Sequence, residues 1–235
     1  MMPNVIEEYL RKEIKITDDA HEDKIHLKEI IALIDSTSPL DFSDYKLPTI
    51  YRRAFRRAKS LNFPNLKTYL TYLKQTPKEL EALSQEFLIS VTSFFRDKEA
   101  FGFLQANVIP EILKKILPGE DLKVWVAGCA SGEEAYSMAI ILKEQLVGEY
   151  KDVIVKIFAT DIDISALAHA GKGIFKKNIE KDVSKERLEN YFLSEGENYI
   201  IKPEIRKMVI FAQHDITKNP PYSNMRLISC RNMLI

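Results

Sequence analysis

The spacing of apolar residues changes partway along the chain. Up to about residue 93 they recur at helical intervals. Stretches 24–35, 46–61, 65–75 and 77–89 read as short amphipathic helices punctuated by Pro39, Pro64 and Pro77, with little strand character. A further helical stretch, 94–117, carries Phe101, Leu104, Val108, Ile112 and Ile116. Beyond residue 119 the pattern becomes one of short apolar runs of strand length: 124–127, 155–158 closing on Asp161, 208–216 and 226–235. Between the first two, Ala135, Met138, Ala139, Leu142 and Leu146 line one face of a helix. Strands with no polar alternation are buried on both faces, as in a parallel sheet covered by helices. The expected architecture is a β-α-β-α-β-β sheet behind a small all-α domain. Its expected divisions are a linker or loosely ordered segment over 1–23, a helical domain over 24–93, a connecting helix over 94–118 and an α/β domain over 119–235.

The stretch VWVAGCASGEE, 124–134, runs from a buried strand through small residues into a helix start, which is how a doubly wound α/β fold builds a nucleotide cradle. Gly128 and Gly132 suit positive φ or close approach of a ligand, and Ser131 with Glu134 has the spacing of a capping box. The glycines do not match the G-x-G-x-x-G phosphate fingerprint, so a ligand without pyrophosphate is favoured, and S-adenosylmethionine (SAM) is the common one. Asp161, ending the second strand, is placed to accept hydrogen bonds from ribose hydroxyls. A solvated strand-end acid is an equally good reading from the residues alone.

Charge and cysteine content narrow the class. Thirty-four basic and thirty-four acidic side chains cancel over 235 residues, so no overall field attracts nucleic acid. No apolar stretch is long enough to span a bilayer and MMPNVIEEYL is not a signal peptide, so a cytoplasmic domain without membrane insertion is expected. Cys129 and Cys230 are the only cysteines, expected to stay reduced beside the pocket. The histidines at 21, 26, 169 and 214 lack ligand spacing, so no metal is expected. Arg52, Arg53, Arg56 and Arg57, with Lys59, gather on one helix opposite Ala54 and Ala58. They form either a solvated face or a surface that steers an acidic partner.

Six ordered stretches carry a resemblance: DFSDYK (41–46), YRRAFRRA (51–58), SVTSFFRD (90–97), GCASGEEAYS (128–137), FATDID (158–163) and HDITKNPPYSNMRLISCRN (214–232). From about residue 28 to 235 the chain resembles the CheR-type chemotaxis-receptor glutamate O-methyltransferases. The wording around DFSDYK, KERLENYF and LISCRNMLI is most similar to CheR domains of large bacterial fusion proteins. The resemblance implies a Rossmann-like SAM-dependent methyltransferase sheet preceded by a small all-α domain. It also implies SAM as cofactor, S-adenosylhomocysteine (SAH) as product and the cytoplasmic helical bundle of a chemoreceptor as partner, with other modules of a fusion protein alongside. Carried over by residue, it implies that Thr92 and Arg96 hold the methionine end of SAM, with Arg96 the catalytic residue that also orients the acceptor. Gly128 lies against the cofactor, Glu134 and Asp161 bind its amino acid or ribose part, Asp215 and Ile216 meet the adenine, and Arg231 and Asn232 close the site. A glutamate side chain is already ionised at neutral pH, with an ordinary pKa of about 4.3, so the reaction asks for alignment and needs no general base.

The chain departs from the family in three places. Family members continue past Ile235 with a Tyr-Phe pair and further strands, so this sequence is expected to be part of a longer one, its sheet unfinished and its own turnover low. Arg226 stands where an acid is usual and is expected to bring a cation near Arg231. Phe175 stands where tyrosine is frequent. The alternatives are a SAM- or SAH-binding regulatory or scaffold domain without turnover, and an unrelated small-molecule methyltransferase, which leaves the basic helix and SVTSFFRD unexplained.

Overall fold

The computed structural model describes residues 18–37, 42, 45–88 and 92–233, with side chains from Asp23 onward. Residues 1–17 of the expected loose segment, parts of DFSDYK and SVTSFFRD, and the last two residues of the fourth expected strand lie outside the described residues; 18–23 open the first helix. The chain divides into two compact units, residues 1–89 and 90–235.

The first unit contains helices α1 (Asp18–Thr37), α2 (Leu47–Ser60), α3 (Leu66–Gln75) and α4 (Pro77–Phe87). Local chemistry sets their starts. Pro48 and Pro77 occupy first-turn positions, where a missing N–H costs no hydrogen bond. Asn65 caps α3 by accepting from the Thr68 amide at 3.0 Å. Ile50, Ala54 and Ala58 fall four apart on α2 and are fully buried, and they meet a core that includes Leu66, Tyr69 and Phe87.

The second unit starts with α5 (Lys98–Phe103), a π-turn over Leu104–Val108 and α6 (Ile109–Leu113). A single helix over 94–117 was the expectation, and two features break it. Phe95 and Asp97 adopt left-handed φ of 48° and 59°, so no helix begins before Lys98. Pro110 cannot donate to the preceding turn and crowds its carbonyls, and the π-turn lies just ahead of it.

Strands β1 (Leu122–Ala127), β2 (Val155–Asp161), β6 (Val209–Gln213) and β7 (Leu227–Cys230) form a parallel sheet in the order β6–β2–β1–β7. The first and last of the described strands are thus neighbours, with Ala127 opposite Cys230 and Ala127 also opposite Thr160. Helix α7 (Glu133–Gln145) follows β1, and it is buried from Glu134 through Leu142 instead of along one stripe. Helix α8 (Ile164–Lys172) follows β2 and is capped by Asp163, which accepts from Ser165 and Ala166 amides.

The expected strand order omitted an insertion. Between α8 and β6 the chain builds β3 (Ile174–Lys176), α9 (Lys185–Tyr191), β4 (Phe192–Glu195) and β5 (Asn198–Ile201), then the short α10 (Pro203–Arg206). The three strands form their own antiparallel sheet in the order β3–β5–β4. Phe175 and Phe192 from this sheet meet Phe94 edge to face at 4.8 and 5.5 Å.

Candidate functional site

The ends of four parallel strands bring most of the expected residues to one edge of the sheet. After β1 the backbone turns sharply: Gly128, Ala130 and Gly132 have φ of 73°, 47° and 96°. Gly128 and Cys129 amides both donate to Thr160 O, at 2.8 and 2.9 Å, which seals the loop onto β2. At Gly132 a Cβ would stand 2.8 Å from Ala170 Cβ and 3.3 Å from its Cα, so glycine is demanded by close helix packing as well as by φ. At Gly128 a Cβ would meet only the flexible Met233 side chain, its Sδ at 2.9 Å.

The capping box does not form. Gly132 occupies the N-cap position of α7 with no side-chain cap, and Ser131 donates to Glu133 at 2.7 Å. Left-handed geometry at Gly132 turns Ser131 away from the helix start, and that frees Glu134 to point into the strand ends. There it is 9% exposed, accepts a hydrogen bond from the Ser229 hydroxyl at 2.6 Å and lies 3.9 Å from Arg231. Burial pushes its carboxyl above the ordinary carboxylate range, against the opposing pull of Ser229, Arg231 and Arg96.

Asp161 is half-buried, and both its oxygens are engaged. Its Oδ2 accepts from the Ala130 amide at 2.7 Å and its Oδ1 from the Asp163 amide at 3.0 Å, tying the loop after β1 to the turn after β2. Each oxygen keeps a lone pair for another donor. His214 donates its backbone amide to Asp161 O, so the loop after β6 starts beside the same strand end. In that loop Asp215 accepts from the Thr217 amide and hydroxyl at 2.9 and 2.6 Å. Burial acts to raise the Asp215 carboxyl, but those bonds and the Lys218 charge outweigh it and hold it below the ordinary range. Ile216 is exposed beside it.

At the end of β7, Arg231 donates to the Arg96 carbonyl at 2.7 Å and pairs with Asp97, and its guanidinium lies 5.0 Å from the centre of the Phe101 ring. Asn232 follows in a left-handed φ of 57°. Arg96, Glu134 and Arg231 thus form one charged group, with Asp161, Asp215 and Ile216 along the neighbouring strand ends. Thr92 lines a cleft of about 430 Å³ with Ser93, Glu133, His169, Lys172 and Phe175.

Two sequence expectations change. Arg226 pairs with Glu120 at the start of β7, four strand residues away from Arg231, so it places no cation at the site. The four arginines of α2 are not one solvent-facing run. Arg57 grips Glu79 with two bonds of 2.6 and 2.9 Å and reaches Glu86 at 2.6 Å, while Arg53 donates to the Glu86 carbonyl at the end of α4. Both are half-buried, and of the four only Arg52 and Arg56 are exposed.

Three contributors went unread in the sequence. Ser229 is a lone hydroxyl in the apolar run LISC, and alternation along the strand was a signal for its inward side. Asp97 and Ala130 take left-handed φ without being glycine, for which the sequence carries no signal. The thiols are free: burial and then Asp161 push the Cys129 thiol well above its usual range, and burial raises Cys230. Among the described residues no three His, Cys, Asp or Glu side chains gather in a way that could hold a metal, and no helix is long and apolar enough to cross a membrane.

The site's chemistry fits an amino acid–nucleoside ligand. Glu134 offers a buried anion to an ammonium group, Arg96 and Arg231 offer forked donors to a carboxylate, and the free lone pairs of Asp161 suit ribose hydroxyls. Comparison with known proteins points the same way. The family model described as the CheR methyltransferase SAM binding domain matches residues 90–235, and that of the CheR methyltransferase all-alpha domain matches 25–88. A protein of Rhodobacter capsulatus named "Uncharacterized 104.1 kDa protein in hypE 3'region" is 38% identical over 209 residues, which are 89% of this chain but 22% of that protein. A chemotaxis protein methyltransferase of Borreliella burgdorferi is 31% identical over 219 residues, 90% of this chain and 77% of that protein. That of Escherichia coli is 29% identical over 224 residues, 89% and 73% respectively.

Proposed function

The chain belongs to the CheR methyltransferase family, and on that premise we propose that it catalyses SAM-dependent methylation of glutamate side chains on the cytoplasmic helical bundle of a chemoreceptor. The observation that carries this reading is the buried Glu134 carboxylate set against Arg231 and Arg96 at the strand ends. Bound there, SAM supplies an electrophilic methyl carbon and leaves as the neutral thioether SAH. In this reading Glu134 takes the ligand's ammonium, Asp161 its ribose, the 215–216 turn its adenine, and Gly128 lets the backbone approach. Thr92 acts at the methionine end. Arg96 orients the acceptor carboxylate, and Arg231 with Asn232 closes the site over the reacting atoms. The attacking group is a carboxylate oxygen, ionised already at neutral pH, so these residues contribute alignment instead of proton transfer.

Arg52 and Arg56 are the exposed cations that we assign to docking of an acidic receptor surface, and action on a cytoplasmic bundle places the protein in the cytoplasm. The 104.1 kDa relative supports neighbouring modules as further partners. The test is to incubate the protein with a receptor cytoplasmic fragment and methyl-tritiated SAM. Base-labile label on glutamate side chains is expected. SAH binding without transfer to any carboxylate overturns the enzyme, and failure to bind SAH overturns the cofactor.

A further inference from the structure

Arg187 lies on α9 in the inserted segment, away from the strand ends, yet it is tied to them. Its guanidinium makes a two-pronged bond to Glu144 near the end of α7, Nε to Oε1 at 2.8 Å and Nη2 to Oε2 at 2.7 Å. Nη2 also donates to Gln105 Oε1 at 3.0 Å, and Gln105 donates to Glu144 Oε2 at 2.8 Å, closing a triangle. Gln105 comes from the π-turn, and such turns recur where a helix presents a functional side chain out of regular register. Both charged side chains are largely shielded, 24% and 20% exposed. The plane so fixed lies over the Phe95 ring, 4.3 Å from guanidinium carbon to ring centre.

Phe95 passes this constraint on. It is buried at a left-handed φ of 48°, and its amide donates to the Ser137 hydroxyl at 2.9 Å. Its ring meets Phe101 edge to face at 5.6 Å, and Phe101 in turn underlies Arg231. Arg231 holds the Arg96 carbonyl and the Asp97 carboxylate. Arg96 therefore sits between two left-handed residues, Phe95 and Asp97, each held by a different guanidinium. Non-glycine residues persist in that conformation only where their surroundings hold them.

We infer that Arg187 is a positioning residue for Arg96: stacked on Phe95 and locked by Glu144 and Gln105, it sets the loop that aims the Arg96 side chain. The functional half of this inference rests on the reading of the strand ends as a SAM site. A planar fork that stacks and bonds at once is a property of arginine and not of lysine.

The test uses Arg187→Gln and Arg187→Lys, with Lys185→Gln as control, since Lys185 is on the same helix and 90% exposed. In the ligand-free chain, hydrogen exchange over 92–98 should quicken in both Arg187 variants, with the sheet and the control unchanged. SAH affinity by calorimetry should fall about tenfold on Arg187→Gln, and less than about twofold when Arg96 is already Ala, because the effect runs through Arg96. Equal losses in both backgrounds, unchanged exchange over 92–98 or an unimpaired Lys variant each overturn the inference. A parent chain that binds no SAH overturns the cofactor reading itself. A parent that binds SAH with an affinity indifferent to Arg187 overturns only the positioning role.

Discussion

Single carboxylates at the strand ends carry opposite burdens. Asp161 accepts two backbone amides, so Asp161→Ala strands the Ala130 and Asp163 N–H groups. We expect a loss of about 1–3 kcal/mol in urea unfolding, and SAH binding weaker by about tenfold or more in calorimetry through loss of a charge-assisted acceptor. Glu134 behaves in reverse. Its folded carboxyl titrates above its unfolded value, so the native state holds the proton longer and this group's contribution to stability falls as pH rises past the ordinary carboxylate range. Glu134→Gln should therefore be at least as stable as the parent at pH 7, lose that advantage toward pH 4 and bind SAH poorly, as paired denaturant melts and calorimetry would register. The sequence disclosed these two acids by position, one closing a strand and one opening a helix. It offered no more than an inward side for Ser229 and nothing for Asp97, because a hydroxyl in an apolar run and an exposed aspartate after Arg96 acquire their roles only when β7 comes alongside β1.

Elements at the site are fixed by how closely α7 and α8 approach the loop after β1. Gly132→Ala must strain a φ of 96° and also drive a methyl against the rigid Ala170 methyl and the Phe211 ring, a combined cost of about 2–4 kcal/mol. Gly128→Ala carries the φ strain but meets only the far end of Met233, about 1–2 kcal/mol. Chemical unfolding of the two variants side by side checks the order; a milder Gly132 variant contradicts the packing argument. Periodicity made the four parallel strands and α7 legible as apolar runs, but the expected burial on both faces holds for β1 and fails at the sheet's edges, where Ile210 of β6 and Ile228 of β7 are exposed. The antiparallel insert escaped because its strands are three and four residues long, with polar residues such as Ser194, Glu195 and Asn198 between its few buried ones. The break in 94–117 escaped because Phe95 and Asp97 leave helical φ under tertiary constraint.

In the helical unit Glu79 responds to acid in the sense opposite to Glu134. Burial acts to raise the Glu79 carboxyl, but Arg57 and Tyr69 outweigh it and hold it below its unfolded value, so its stabilisation is present above that value and lost as pH falls through the folded one. Arg57→Ala should cost about 1–3 kcal/mol in thermal unfolding by taking the cation from the part-buried Glu79 and Glu86. Reversing the exposed Arg52 and Arg56 to Glu should leave stability nearly intact. Stopped-flow association with an acidic receptor fragment should slow, the defect shrinking as salt rises from about 50 to 300 mM. Equal rates at low salt reduce the pair to a solvated face. One more property belongs to the chain as a whole. Its single tryptophan, Trp125, donates from its indole nitrogen to Thr160 and is boxed by the rings of His214 and Tyr222, which bracket the turn holding Asp215 and Ile216. Indole fluorescence from this protein is therefore an optical gauge of one loop, and a nucleoside that settles against that loop should announce itself as a change in emission without any label being attached.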